Sequence, residues 1–133
     1  MKKSKLALLS ILTFVITVFS SCSDTTVCTT NIVYLKLNVV GDTLTDYFTI
    51  RLLTNDTLRA EEGPYMNPNG GYDYCIIANP FGSKIQGDIE KILFIGMIDE
   101  MIVISEEYRL AKGECGFRVL SGKEKVTLGT PEE

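Results

Sequence analysis

Pairs of adjacent carboxylates are the residues of this chain whose types and spacing could do chemistry. They include Glu61–Glu62, Asp99–Glu100 and Glu106–Glu107, and a glycosidase needs only two facing carboxyls. Adjacent residues on a strand or turn point to opposite sides, so solvated turns or edges explain these pairs better than catalysis does. The chain also has no histidine, which removes the most common general base and the Ser-His and Cys-His nucleophile pairs. We therefore expect a protein that is not an enzyme.

Metal and cofactor sites are not indicated either. Zinc would need scattered thiols to converge, because the chain has neither histidine nor a CxxC motif. Calcium at the oxygen-rich residues Asn67, Asn69 and Asp73 is an alternative, but these residues lack the regular EF-hand spacing. No glycine loop of the kind that cradles phosphate occurs. The sequence predicts no metal and no cofactor.

The N-terminal stretch has the composition of a secretory signal. Lys2, Lys3 and Lys5 precede an apolar run from Leu6 to Phe19, which is about 14 residues long. That length suits the export channel and is short of the roughly 20 residues that span a bilayer. Export to the cell envelope is therefore predicted.

The segment Val18–Cys22 reads VFSSC and resembles a bacterial lipobox. In that site small residues precede a cysteine that is acylated on sulfur and becomes the new N-terminus; Phe19 and Ser21 depart from the usual leucine and the usual glycine or alanine. The resemblance implies that residues 1–21 are a lipoprotein signal peptide. Acyl chains such as palmitate on Cys22 would hold the protein to the outer membrane, on its periplasmic or its surface side. The alternative is an ordinary secretory signal followed by a disulfide cysteine.

The chain after this signal has the size of one domain. Cys22 to Glu133 is 112 residues, of which 22–30 would form a lipidated polar tether and 31–133 the folded domain. Without the three N-terminal lysines, 13 basic residues become 10 against 17 acidic ones, so the net charge is about −7. Such a chain repels nucleic acid, and no nucleic-acid partner is expected.

Alternation of apolar and polar residues predicts β-strands in the first half of the domain. Residues 33–39 alternate, and 47–54 do so with Phe48, Ile50 and Leu52 on one face and Thr49 and Arg51 on the other. With the short segment 57–60, these strands are expected to form a meander. Residues 72–78 are apolar on both faces, which indicates a central strand.

The second half is predicted to continue in strands. Residues 88–98 fit either a helix with Asp88 as N-cap or a buried strand, and their β-branched and aromatic residues favour the strand. Residues 101–105 form a further apolar run, and 116–120 with 124–128 suggest a terminal hairpin. About seven to nine short strands without a helix predict an all-β fold, a single antiparallel β-sandwich of the Ig-like or transthyretin-like kind.

Four short segments carry a family resemblance: CTTNI from residue 28, the Gly-Asp turn at 41–42, GGYDY from residue 70 and GECGF from residue 113. Together they resemble small bacteroidal lipoproteins with a carboxypeptidase-regulatory-like (transthyretin-like) β-sandwich domain. Gly116 stands where those proteins often have histidine. The resemblance implies a fold and a place in the envelope, and little chemistry.

The cysteines agree with export. With Cys22 acylated, Cys28, Cys75 and Cys115 remain, and this odd number permits three alternative single bridges. The family resemblance favours a bridge from Cys28 to Cys115, which would close a loop of about 87 residues and contribute about 3–5 kcal/mol in the chain-entropy model. Cys75 is then expected to be a small buried residue.

The segment Gly63–Gly71 is predicted to be an exposed loop, because it holds two prolines, two asparagines and three glycines. Aromatic faces in and beside such a loop can hold a glycan or a peptide. The candidate contact residues are Tyr65, Met66, Asn67, Asn69 and Tyr72. Two functions are compatible with this surface: a non-catalytic binding or accessory module, and an inhibitor or assembly component that acts on another envelope protein.

Three Asp-Thr motifs resemble the O-glycosylation acceptor of exported bacteroidal proteins. Their candidate threonines are Thr25, Thr43 and Thr57. The last two fall in or beside predicted turns, where a glycan would not disturb the core. Asp-Thr is equally good turn chemistry, which is the alternative explanation.

Overall fold

The computed structural model describes residues 33–129, which fold into two packed β-sheets. The strands are Tyr34–Gly41 (β1), Asp46–Arg51 (β2), Thr57–Leu58 (β3), Tyr65–Met66 (β4), Tyr72–Ala78 (β5), Ile89–Ile98 (β6), Met101–Gly113 (β7), Gly116–Ser121 (β8) and Lys125–Leu128 (β9). A short 3-10 turn, Asn79–Lys84, follows β5. Within these described residues no helix is long and apolar enough to cross a membrane. The predicted all-β sandwich is confirmed.

The sheets have four and five strands, in the orders β4-β5-β1-β9 and β3-β2-β6-β7-β8. The described strand pairs are antiparallel except β1 and β9, which run parallel with Asn38 beside Lys125 and Gly41 beside Leu128. The ambiguous region 88–98 contains β6, so the strand interpretation is confirmed and the helical alternative is wrong.

The core lies between the two sheets and is built around aromatic rings. Tyr74 on β5, Phe94 on β6 and Tyr108 on β7 are fully buried. The ring of Tyr47 meets that of Tyr74 edge-on, with 5.0 Å between centroids. Burying a large apolar side chain stabilises the fold by about 1.5–3 kcal/mol. Shorter apolar chains fill the remaining space, among them Leu37, Val39, Leu44, Ile76, Ile92, Ile104 and Leu110.

Polar groups inside the sandwich have hydrogen-bond partners, which lock the two sheets and their connections together. The Thr49 hydroxyl on β2 donates to the carbonyl of Ile76 on β5 at 3.0 Å, from one sheet to the other. The Tyr108 hydroxyl donates to the carbonyl of Lys123 at 2.7 Å. In residues 33–129 no buried side-chain nitrogen or oxygen lacks a partner, as expected for a native core.

A buried ion pair closes one end of the core. Arg51, the last residue of β2, donates from Nε to Glu90 Oε1 at 2.5 Å and from Nη2 to Glu90 Oε2 at 3.1 Å. The Glu90 side chain is fully buried, and that of Arg51 is 8% exposed. The same Nη2 donates to the carbonyl of Lys84 at 2.9 Å, and the guanidinium lies 5.2 Å from the centre of the Phe81 ring.

The faces of β2 show which side of its alternation points inward. Thr49 and Arg51 are buried, whereas Phe48 and Ile50 are only partly buried and face away from the core. The polar residues go inside because each has a partner there, Ile76 for Thr49 and Glu90 for Arg51. An alternating pattern identifies a strand but does not by itself identify its buried face.

Two predicted strand connections are wrong. The meander fails because β1 and β2 lie in different sheets, although β2 and β3 do pair. The terminal hairpin fails because β8 pairs with β7, while the chain turns away at Gly122, whose φ is +144°, and β9 joins β1. A side chain on Gly122 would overlap the Tyr108 ring, so this crossing needs glycine. The strand predicted at 101–105 also extends as β7 to Gly113.

Candidate functional site

The predicted contact loop is a tight hairpin between β4 and β5. Tyr65 and Met66 form the two-residue strand β4, paired with Asp73 and Tyr72, so this part of the predicted loop is ordered as a strand. Tyr65 is 45% exposed and Met66 76% exposed. Tyr72 is partly buried and packs against the core. Tyr65 and Met66 therefore present more side-chain surface to a partner than Tyr72 does.

The two asparagines of the loop differ in what they do. Asn67 Nδ2 donates to Asp73 Oδ1 at 2.8 Å, and Asn38 Nδ2 donates to the same oxygen at 3.0 Å. The backbone N–H of Asn69 donates to Asn67 Oδ1 at 2.8 Å. Asn67 thus holds the turn together, while Asn69 is exposed. Among residues 33–129 no group of acids and cysteines is arranged to hold a metal ion.

A cluster around Glu62 lies beside the loop and was not predicted. Tyr65 Oη donates to Glu62 Oε2, and Tyr34 Oη donates to Glu62 Oε1 at 3.1 Å. Lys36 Nζ lies 5.2 Å from the centre of the Tyr65 ring and 5.8 Å from that of Tyr34. Tyr47 Oη also donates to the backbone carbonyl of Glu62 at 3.2 Å. We call Tyr34, Lys36, Glu62 and Tyr65 the tyrosine cluster.

The hydrogen bonds of this cluster set its charge state. The Tyr65 and then the Tyr34 hydroxyl lower the pKa of the Glu62 carboxyl, because both donate to its ionised form. In return the bond to Glu62 raises the pKa of Tyr65 to about 12. Burial first, and then Glu62, raise the pKa of Tyr34. At neutral pH the two tyrosines of the site are therefore neutral phenols and Glu62 is a carboxylate.

An apolar groove of about 320 Å³ begins at the tyrosine cluster. It runs between β5, the 3-10 turn and residues 59–64, the connection from β3 to β4. Apolar side chains form much of its lining, among them Leu58, Ile77 and Phe81. Polar side chains line it as well, among them Tyr34, Glu62 and Lys84. Among the described residues Lys84 has no ion-pair partner. The groove thus combines an apolar floor with an available cation at one end.

Within residues 33–129 each acidic pair has its own structural surroundings. Asp99 and Glu100 form the turn between β6 and β7, with φ of 48° and 67°. Glu106 bonds to Lys123 Nζ at 2.6 Å, and Glu107 lies 3.4 Å from Lys91 Nζ. Glu62 belongs to the tyrosine cluster, and Glu61 is exposed on the groove rim. Each pair has an ordinary structural explanation.

The cysteine and glycosylation predictions fall partly outside the described residues. Cys22, Thr25 and Cys28 all lie outside residues 33–129. Acylation of Cys22, glycosylation of Thr25 and the Cys28–Cys115 bridge therefore stay predictions. Within 33–129, Cys75 is free and buried, as expected, whereas Cys115 is not free. Burial raises the pKa of the Cys75 thiol. Thr43 and Thr57 are exposed, which leaves room for a glycan.

The tyrosine cluster and the groove were missed because their parts are far apart in the sequence. Tyr34 and Lys36 could be placed on the outward face of the first strand by alternation alone. Their meeting with Glu62 depends on how residues 59–64 cross from one sheet to the other. Only the density of polar and aromatic residues around Glu62 gave a local signal.

Comparison with known proteins adds no relative. No protein-family model, no curated protein and no solved structure matches this chain. The resemblance to bacteroidal lipoproteins therefore stays a prediction, and the case for a function depends on the groove and the tyrosine cluster.

Proposed function

We propose that this protein is a non-catalytic binding module, anchored to the cell envelope by acyl chains on Cys22, whose ligand lies in the groove beside the tyrosine cluster. The observation that carries the proposal is the groove itself: an apolar cleft of about 320 Å³, within the range typical of ligand sites, with a few polar groups at its rim. The sandwich supplies a rigid frame for it.

The lining favours a peptide segment over a glycan. Sugar rings are held by aromatic faces together with many hydrogen-bonding groups, whereas Leu58, Ile77 and Phe81 offer mainly apolar contact. Such a floor suits an aliphatic side chain of an extended segment, and Lys84 suits a carboxylate beside it. The second candidate is an inhibitor or assembly component that acts on another envelope protein, and the same lining supports it.

We predict that Ala60→Trp abolishes ligand binding, because an indole at this groove-lining position would occupy the space of the ligand. Lys84→Glu should weaken binding about tenfold or more, the effect of losing one charge-assisted contact. Peptides are first selected from a random display library on the wild-type protein. Their affinities for each variant are then measured by fluorescence anisotropy.

Lys112→Glu is the matched control, because it reverses an exposed lysine on β7 that does not line the groove. It should bind the selected peptides as the wild type does. Equal losses in Lys84→Glu and Lys112→Glu would show only a general charge effect. Selection of glycans on an array, with no peptide enriched, would contradict a peptide ligand.

Acylation of Cys22 is expected to be visible directly. Mass spectrometry of the membrane fraction should find an N-terminus at Cys22 that carries acyl chains, because two or three chains give stable anchoring. Cys22→Ala should leave an unprocessed precursor. A mature protein that begins after Cys22 would contradict the anchor and leave the groove proposal unaffected.

A further inference from the structure

Strand β5 is covered only in part along one of its two edges. On one edge β1 pairs with it over its whole length, from Tyr72 to Ala78. On the other edge β4 pairs with Tyr72 and Asp73 alone. Among residues 33–129 no other strand pairs with β5, so Tyr74–Ala78 has a neighbouring strand on the β1 side only. We call the uncovered side of this stretch the open edge.

The sequence before β4 explains why this strand does not continue along β5. Tyr65 pairs with Asp73 in an antiparallel register, so the residue before Tyr65 would come next, beside Tyr74. That residue is Pro64, which has no N–H to donate to a sheet. The chain leaves the sheet here, and residues 59–62 line the groove together with residues 75–78 of β5.

The open edge and the groove therefore coincide, since four of the five residues of this stretch line the groove. In an antiparallel pair, residues that bond to the neighbouring strand alternate with residues whose backbone groups point the other way. About half of the backbone N–H and C=O groups of Tyr74–Ala78 thus face away from β1.

These backbone groups have almost no partners in the described part of the chain. No backbone–backbone hydrogen bond outside the pairing with β1 reaches Cys75, Ile77 or Ala78. The carbonyl of Ile76 accepts the Thr49 hydroxyl inside the core. Cys75 and Ile77 are each only 5% exposed. Because buried backbone groups are nearly always paired, and an uncovered strand edge is a template for pairing, this edge lacks an extended partner.

We propose that the peptide binds by adding a strand to β5 along the open edge, an inference that rests on the proposed function of the groove. An extended segment is the ligand class whose main chain supplies donors and acceptors at the spacing of a strand edge. At about 3.3 Å per residue, Cys75–Ala78 offers about 13 Å of edge, enough for three or four residues. One alternate set of their side chains then contacts the apolar lining, which includes Leu58 and Phe81.

The charge of the bound segment follows from the residues at the end of the open edge. The edge ends at Ala78, and the 3-10 turn that follows directly brings Lys84 into the lining of the groove. Lys84 has no ion-pair partner among the described residues. A carboxylate next to the paired residues of the segment gains a charge-assisted contact there. The expected ligand is thus an extended peptide with an acidic group beside its aliphatic residues.

A lipid acyl chain fits the same groove less well. It would contact the apolar lining as an aliphatic side chain does, but it has no donor or acceptor for the backbone of β5. The backbone groups of the open edge would then lose water without gaining a partner, which is unfavourable. A peptide main chain satisfies these groups and carries the aliphatic side chains as well.

The test uses the peptide that binds the wild-type protein most tightly after the library selection. Each backbone N–H of this peptide is replaced in turn by an ester oxygen, which removes one hydrogen-bond donor and keeps the extended shape. Within the bound stretch, affinity should fall about fivefold to tenfold at every second position and less than about twofold at the positions between. Fluorescence anisotropy measures these affinities.

Hydrogen exchange of the protein provides a second measurement with its own control. Amides of Cys75–Ala78 that exchange fast in the free protein should gain protection when the peptide binds. Lys125–Leu128 is the matched control, because β9 is the other edge strand of the same sheet and should keep its exchange rates. Equal protection of both edges would show general stabilisation and overturn strand addition.

The remaining outcomes separate this inference from the proposed function. Ester effects at no position, or equally at all positions, would overturn strand addition, while loss of binding in Ala60→Trp would still support the groove as the site. A selection that yields no peptide would overturn both. A peptide-free dimer in sedimentation velocity that the peptide dissociates would also overturn strand addition by a peptide, because a second copy of this chain would then occupy the open edge.

Discussion

Glu90→Ala is expected to lower the free energy of unfolding by about 3–5 kcal/mol, one of the largest effects of any single substitution in this domain. The change leaves the Arg51 guanidinium, 8% exposed, without the carboxylate that accepts two of its hydrogen bonds. The hydrogen bond to Glu90 is also the main reason why the pKa of Arg51 is raised. Because a guanidinium stays protonated in proteins, its charge would persist in the variant with only the exposed carboxylate of Asp56, 3.7 Å from Nη1, beside it. Denaturant unfolding of wild type and variant measures the loss.

Two further variants distinguish the contribution of a buried ion pair to stability from that of an exposed ion pair. Glu107→Ala removes a partner of Lys91 on the surface and should cost less than about 1 kcal/mol. The double variant Arg51→Met, Glu90→Leu removes both buried charges and should recover most of the stability lost in Glu90→Ala. Equal costs for Glu90→Ala and Glu107→Ala would show that burial does not determine the contribution of the pair.

The buried pair also connects stability with the proposed groove. Arg51 holds the carbonyl of Lys84 and packs on Phe81, and both of these residues line the groove. Removing Glu90 should therefore loosen the 3-10 turn as well as the core. Peptide affinity is expected to fall in Glu90→Ala even at temperatures where the domain stays folded. It should return in the double variant if apolar packing alone is enough to keep the shape of the groove.

Local patterns predicted the strands well, because alternation and turn residues act over a few positions. β5 was placed at its observed limits, and the ambiguous stretch that became β6 was assigned correctly from its β-branched and aromatic residues. The inward face of β2 was not identified. Hydropathy favours Phe48 and Ile50 inside, and only the distant partners Glu90 and Ile76 make burial of Arg51 and Thr49 favourable.

Sheet order and the site depend on contacts between distant residues, which no local pattern encodes. The pairing of β1 with β9 joins residues nearly ninety positions apart. The tyrosine cluster depends likewise on Glu62 reaching Tyr34, 28 positions earlier. Tyr65 was predicted as a contact residue, because an aromatic residue in a loop rich in glycine and proline is a local signal. Glu62 was considered only as part of the Glu61–Glu62 pair. A contact surface was therefore predictable, and its shape was not.

Gly41→Ala is expected to lower the free energy of unfolding by about 3 kcal/mol or more and to detach β9 from the sheet. Gly41 has a φ of +102°, which an L residue adopts only at a cost of about 1–3 kcal/mol. A methyl group there would also overlap the carbonyl oxygen of Leu128, the residue that faces Gly41 across the parallel pair. Because backbone cannot yield as a flexible side chain can, the end of β9 must move away.

Hydrogen exchange locates this damage, and a second glycine provides the control. In Gly41→Ala the amides of Lys125–Leu128 should lose protection earlier and more completely than those of β6, since β9 is held in the sheet by β1 alone. Gly63→Ala should be neutral within about 1 kcal/mol, because no atom lies within 4 Å of the added methyl group. Unchanged protection of β9 in Gly41→Ala would contradict the parallel pairing, whereas a uniform loss across both sheets would show that β9 and the core unfold as one cooperative unit.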